Sequence, residues 1–80
     1  MRKFKVIYQK TEIALGQGRI SIVEETVSAD RAEFGNEWIL FYTGPIFLDE
    51  EGYIKDSGIL VKAFMRMIVF TVEEIIETNQ

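Results

Sequence analysis

The chain has 80 residues, 48% of them hydrophobic, with 9 basic and 13 acidic side chains and a formal charge of −4. This length predicts a single small domain over residues 1–80, with a thin core but enough apolar side chains to fold. The chain contains no histidine and no cysteine, which excludes disulfides, the common zinc sites and the common hydrolase triads. We therefore expect a protein that is not an enzyme and that binds no cofactor or metal.

The lack of cysteine and of long apolar segments also bears on where the protein acts. Small secreted domains usually depend on disulfides, so we expect a cytoplasmic protein. The apolar runs are far shorter than the roughly 20 residues that a membrane-spanning helix needs. Four of the nine basic residues fall within the first ten positions, which leaves a charge of −8 on the rest of the chain. Such an acidic body argues against direct binding of nucleic acid.

The first segment of the chain predicts a strand and a turn. Phe4, Val6 and Tyr8 alternate with mainly polar residues, which is typical of a strand that is buried on one face. Gly16 and Gly18 lie close together and predict a turn, because glycine adopts the positive φ angles that tight turns require.

A second strand is predicted from Arg19 to Ala29, and its pattern of alternation is broken. Ile20 and Ile22 occupy one phase of the alternation, whereas Val27 occupies the opposite phase. The change falls at residues 23–25. A shift of one position within a strand predicts a β-bulge or a bend between two shorter strands.

A hairpin is predicted within residues 32–43. Gly35-Asn36 separates two apolar runs and fits a type II′ turn with glycine at its first central position. The return strand, Glu37 to Thr43, is rich in aromatic and β-branched residues and is the clearest strand of the chain. Both of its faces are apolar: Trp38, Leu40 and Tyr42 occupy one face, and Ile39 and Phe41 occupy the other.

The second half of the chain predicts further short strands. Pro45 ends the return strand, and the acidic residues 49–52 predict a turn between two short apolar pieces. The apolar run from Ile59 to Phe70 is too long for one ordinary strand, so we expect a bend near residues 64–66 or two strands joined there. Thr71 to Glu74 matches a capping box, which favours a short C-terminal helix or turn over a last strand.

These elements together predict a mainly β protein. We expect a small antiparallel β-meander of about five to seven strands, rolled into a barrel or a half-open sheet, with a short C-terminal helix or turn.

The excess of apolar side chains is the main functional signal. So small a domain cannot bury both faces of every strand, and contiguous exposed apolar area usually marks an interface. We therefore expect a protein–protein interaction module or small assembly subunit, with a homo-oligomer as the favoured form and another protein, self or foreign, as the partner. The predicted interface residues are Trp38, Phe41, Tyr42, Phe47, Phe64, Met65 and Met67.

A second hypothesis rests on the acidic body of the chain. A small acidic protein without catalytic groups suits an inhibitor or decoy from a phage or another mobile element, which would block a basic surface of a larger protein. The residues that would form its acidic surface are Asp30, Glu33, Asp49, Glu50 and Glu51. Their clustering on one face would support this hypothesis.

Overall fold

The computed structural model describes residues 1–76, which form eight β-strands and one 3₁₀ turn. The strands are β1 (Arg2–Ala14), β2 (Gln17–Ala29), β3 (Arg31–Phe34), β4 (Trp38–Thr43), β5 (Phe47–Leu48), β6 (Ile54–Asp56), β7 (Ile59–Met65) and β8 (Val69–Ile75), and the 3₁₀ turn is Arg66–Ile68. The prediction of a mainly β protein is confirmed, with more strands than expected.

Two three-stranded antiparallel sheets form the body of the molecule. The back sheet has the strand order β2–β1–β8 and the front sheet has the order β3–β4–β7, while β5 and β6 form a separate hairpin. Within residues 1–76 no ladder closes one sheet onto the other, so the described residues form open sheets and no closed barrel.

The core lies between the two sheets. Alternate side chains of β1, β2, β4 and β7 turn inward: the buried residues are Phe4, Val6, Val27, Ala29, Ile39, Phe41 and Phe64. Aromatic rings bridge the sheets, and the centroid of Tyr8 lies 5.0 Å from that of Phe64. The predicted inward face of the first strand is thus confirmed, because Phe4 and Val6 are buried and Tyr8 packs against them.

The predicted bulge or bend in the second strand is wrong. β2 pairs with β1 without interruption along its full length, from Arg2 opposite Ala29 to Ala14 opposite Gln17. Because the register never shifts, the change of apolar phase places Ile22 on the outer side of the back sheet and Val27 on the inner side. The break in alternation therefore marks the point where the apolar residues change from the outer to the inner face of a regular hairpin, and the hairpin has no bulge there.

The predicted hairpin of residues 32–43 is confirmed, but its turn differs. The backbone N–H of Gly35 donates to the carbonyl of Trp38 at 2.9 Å, so the turn is centred on Asn36 and Glu37. Gly35 does not adopt the positive φ that a type II′ turn requires at its first central position. The predicted return strand accordingly begins one residue later, at Trp38.

The bend predicted near residues 64–66 is confirmed, and the C-terminal helix is wrong. The 3₁₀ turn separates β7 from β8, and β8 then pairs with β1, with Val72 opposite Val6. Pairing of Val69–Ile75 with an existing sheet satisfies its backbone groups along one edge, whereas a helix this short is marginal on its own. Residues 77–80 of the predicted helix or turn lie outside the described residues.

A polar corner holds the connection between β2 and β3. The carboxylate of Asp30 accepts hydrogen bonds from the Thr43 hydroxyl and the Gly44 N–H, both at 2.8 Å. The guanidinium of Arg31 donates to the carbonyl of Gly44 at 2.6 Å and to the carbonyl of Ser57. These bonds fasten the loops after β4 and before β7 to the same point.

None of the helical structure in residues 1–76 is long and apolar enough to cross a membrane.

Candidate interaction surface

The outward side of the front sheet carries a continuous row of apolar side chains, which we call the front face. It consists of Trp38, Leu40 and Tyr42 on β4 and of Leu60, Ala63 and Met65 on β7. The register places these residues in three cross-strand pairs: Trp38 opposite Met65, Leu40 opposite Ala63, and Tyr42 opposite Leu60. Paired residues on one face of a sheet lie within contact distance, so the six side chains form one patch.

The front face exists because the sheet can bury only one of its two apolar sides. Ile39 and Phe41 alternate with the front-face residues of β4 and are buried against the back sheet. The other side remains accessible at the start of β4, where Trp38 is 45% exposed. The apolar side chains of β4 are therefore divided between the core and the outward side of the front sheet.

The 3₁₀ turn extends the front face at one end. The N–H of Arg66 donates to the carbonyl of Glu37 at 2.8 Å, and its guanidinium donates to the carbonyl of Gly35, also at 2.8 Å. These two bonds hold the turn against the β3–β4 loop. As a result Met67 joins Trp38 and Met65 in lining a shallow recess.

The β5–β6 hairpin borders the other end. Ile46 and Ile54 line a second recess together with Tyr42 and the β3 residues that flank it. Both isoleucines are exposed, so the apolar surface continues past the end of β4. The front face is therefore a strip that runs between two shallow recesses.

The structure separates the seven predicted interface residues into three groups. Trp38, Tyr42, Met65 and Met67 lie on the front face or beside it. Phe47 is exposed on β5, outside the front sheet. Phe41 and Phe64 are only 0% and 4% exposed, so their place in a predicted interface is wrong: both rings face the back sheet as part of the core.

Sequence reasoning left out three front-face residues that strand pairing reveals, Leu40, Leu60 and Ala63. Leu40 shares the phase of Trp38 and Tyr42, so alternation alone could have added it. Leu60 was harder to assign because the ladder between β4 and β7 shifts between Phe41 and Tyr42, leaving Val61 as the extra residue. A bulge changes which residues of β7 face outward, and only the pairing locates it.

A charged cluster lies on the opposite, inner side of the front sheet. The Lys62 ammonium is 3.4 Å from the Glu25 carboxylate and 5.5 Å from the centroid of the Phe64 ring. Glu25 also accepts a hydrogen bond of 3.1 Å from the Tyr8 hydroxyl. Partial burial of Tyr8 and this hydrogen bond raise the pKa of its phenol above the usual value. The charged side chain of β7 is thus turned away from the front face, which keeps the strip apolar.

The five predicted acidic-surface residues occupy three separate elements. Asp30 forms the polar corner, Glu33 lies on β3, and residues 49–51 form the turn between β5 and β6. Asp49 caps its own turn, because its carboxylate accepts from the N–H groups of Glu51 and Tyr53 at 2.9 Å. Across residues 1–76 no three acidic side chains are grouped so that they could hold a metal ion.

Comparison with known proteins adds no functional information, since no family model, no curated protein and no solved structure matches this chain.

Proposed function

We propose that the protein is a non-catalytic protein–protein interaction module, or a small assembly subunit, that binds a partner through the front face. The observation that supports this proposal is the contiguous row of apolar residues on the outward side of β4 and β7. Trp38, Leu60 and Met65 are exposed in this row, and the other three side chains are partly buried. Monomeric proteins rarely leave such a strip uncovered, and Trp, Tyr and Met are enriched at interfaces. The recesses beside Trp38 and Tyr42 offer places where a partner's side chains would insert.

The experiment compares two charge substitutions on opposite sides of the molecule. Leu60→Glu places a carboxylate in the front face, and Thr71→Glu places one on the exposed outer side of the back sheet. Both side chains are exposed, so each variant should keep its circular dichroism spectrum. We expect Leu60→Glu to reduce the fluorescence of a bound hydrophobic dye severalfold, and Thr71→Glu to leave it near the wild-type value.

Partner capture then tests the function itself. A protein retained from a host lysate by the wild type and by Thr71→Glu, but lost with Leu60→Glu, would support binding through the front face. Equal capture by all three forms, or a wild-type protein that binds neither dye nor partner, would contradict the proposal.

A further inference from the structure

Strand β2 has an edge that is unusually open for a natural protein. It lies at the border of the back sheet, pairs with β1 on one side, and has no strand on its other side within residues 1–76. It is 13 residues long, without proline and without a bulge. Natural sheets usually protect an edge by shortening it, bending it or placing proline or charged side chains on it, and β2 has only the last of these, in Arg19, Glu24 and Glu25. Two other border strands have such features: β3 has four residues and β7 carries the bulge at Val61.

The outer half of the β1–β2 hairpin extends beyond the core. β8 pairs with β1 only as far as Tyr8, so residues 9–14 of β1 have β2 as their one strand neighbour among the described residues. In this half the isoleucines lie on the outer face of the sheet and not on the face that carries the core: Ile13, Ile20 and Ile22 are all exposed. A two-stranded ribbon is marginally stable in water, so an additional strand would stabilise this part of the molecule.

We propose that the edge of β2 pairs with the same edge of a second copy of this chain, antiparallel and centred on Ile22. This symmetric arrangement closes after two copies. It places Ile22 opposite its own counterpart, and Arg19 of each copy opposite Glu25 of the other, so that unlike charges meet at both ends of the contact. A centre at Glu24 or Glu25 would instead place two carboxylates face to face.

In the proposed Arg19–Glu25 pair, contacts within its own chain already hold the Glu25 side chain in place. Glu25 is already held by the Tyr8 hydroxyl and lies within 3.4 Å of the Lys62 ammonium. A carboxylate accepts about four hydrogen bonds, so a further donor from Arg19 of the second copy can be accommodated. On the outer side, the two Ile22 side chains pack against each other, while Ile20 lies opposite Glu24 and reaches Ile22 of the other copy diagonally.

This dimer has a definite geometry. The two back sheets become one six-stranded sheet, and the symmetry axis perpendicular to it leaves both front sheets on the same side. The front sheet reaches β2 from Glu25 to Ala29, and in this register that end lies opposite residues 15–19 at the tip of the other copy, so the two bodies stay apart. The pairing does not depend on the function proposed for the front face, but it would present two front faces in the same direction.

Engineered cysteines test the register directly, because the natural chain has none. Sedimentation of the wild type should first give twice the chain mass of 9.3 kDa. Under mild oxidation, Ile22→Cys should form a disulfide dimer at least about tenfold faster than Gln9→Cys or Thr26→Cys. Gln9 lies beside Ile22 on β1, and its two copies would stand about 14 Å apart across three strand spacings, while the two Thr26 residues would be about 27 Å apart.

The same set of proteins can overturn the proposal. The proposal is contradicted if the wild type sediments as a monomer at about 100 μM and Ile22→Cys forms disulfide dimers no faster than the other two cysteine variants. Equal linkage of Gln9→Cys and Ile22→Cys would mean that the sheets meet face to face and not edge to edge. Arg19→Glu should raise the dimer dissociation constant about tenfold, while Arg19→Lys should change it little. If Leu60→Glu alone abolished the dimer, the contact would lie on the front face.

Discussion

The rings of Phe4 on β1 and Phe41 on β4 meet between the two sheets, with their centroids 5.3 Å apart and their planes inclined by 55°. Phe64 contacts the same Phe41 ring edge-on at 6.0 Å. Phe41 on β4 therefore contacts rings on both β1 and β7, and its side chain is completely buried.

Phe41→Ala should destabilise the fold by about 3–5 kcal/mol, since it removes a buried ring and leaves a cavity. A domain of this size has about 5 kcal/mol of stability in total, so the variant should be largely unfolded at 37 °C. Urea denaturation followed by circular dichroism measures the effect. The matched control is Trp38→Ala on the same strand, which should cost about 1 kcal/mol because the indole is half-exposed. Equal losses for the two variants would contradict the assignment of core and front face.

Leu15→Asn should stabilise the protein by about 0.5–1 kcal/mol and raise the Tm by several degrees. Leu15 and Gly16 form the tip of the β1–β2 hairpin with φ angles of 55° and 75°. Such turns favour asparagine followed by glycine, whereas leucine is strained at positive φ and is fully exposed here. Leu15→Ala is the control, because it keeps the strained backbone but shortens the side chain. If alanine gave the same gain as asparagine, backbone strain would not be the cause.

Gly58→Ala should destabilise the protein by about 1–3 kcal/mol. Gly58 has φ +95°, and a Cβ atom there would lie 2.5 Å from the Thr43 carbonyl oxygen and 2.6 Å from the Arg31 guanidinium. The substitution would thus disturb the polar corner as well as strain the backbone. Gly18→Ala should be nearly neutral in thermal denaturation, since a Cβ atom at Gly18 would meet no neighbouring atom within 4 Å. Similar melting temperatures for the two variants would contradict this role for Gly58.

Stability should fall in acid in part through Asp30. Hydrogen bonds from the Gly44 N–H, and then from the Thr43 hydroxyl, hold the pKa of its carboxyl below the usual value for aspartate. Because the folded-state pKa is depressed, this stabilisation is complete above the unfolded pKa and is lost as the pH falls through the folded pKa. We expect Asp30→Asn to be less stable than the wild type at about pH 6 and the difference to shrink as the pH falls below about 4, the ordinary pKa of aspartate. Urea midpoints measured across this range test it, and a constant difference would exclude the Asp30 charge as the cause.

Alternation along single strands was sufficient to predict much of the fold. The assignment of Phe4 and Val6 to a buried face, and the division of β4 into two apolar sides, depend on a period of two that is visible in the residues themselves. The bend after Met65 followed from the limited length of ordinary strands. These features are local, so the order of residues contains the information they require.

The candidate surface was only partly predictable for the same reason. Sequence alone could not distinguish which side of β4 faces the core, so the buried Phe41 was grouped with the exposed Trp38. Likewise, Ile22 and Val27 occupy opposite phases of the alternation, which fits either a bulge or a regular strand whose apolar residues change face. Only the uninterrupted pairing with β1 distinguishes these two possibilities.

The amino-acid sequence by itself determined that this protein is mainly β, that it has no histidine or cysteine chemistry, and that its apolar side chains exceed what one small core can bury. Tertiary structure alone decided that β8 is a strand, that Phe41 and Phe64 form the core, and that the edge of β2 is open among the described residues. The reason is that alternation records which side chains share a face, whereas burial depends on which strands become neighbours. That choice is made by contacts between residues far apart in the chain, as between Phe4 and Phe41.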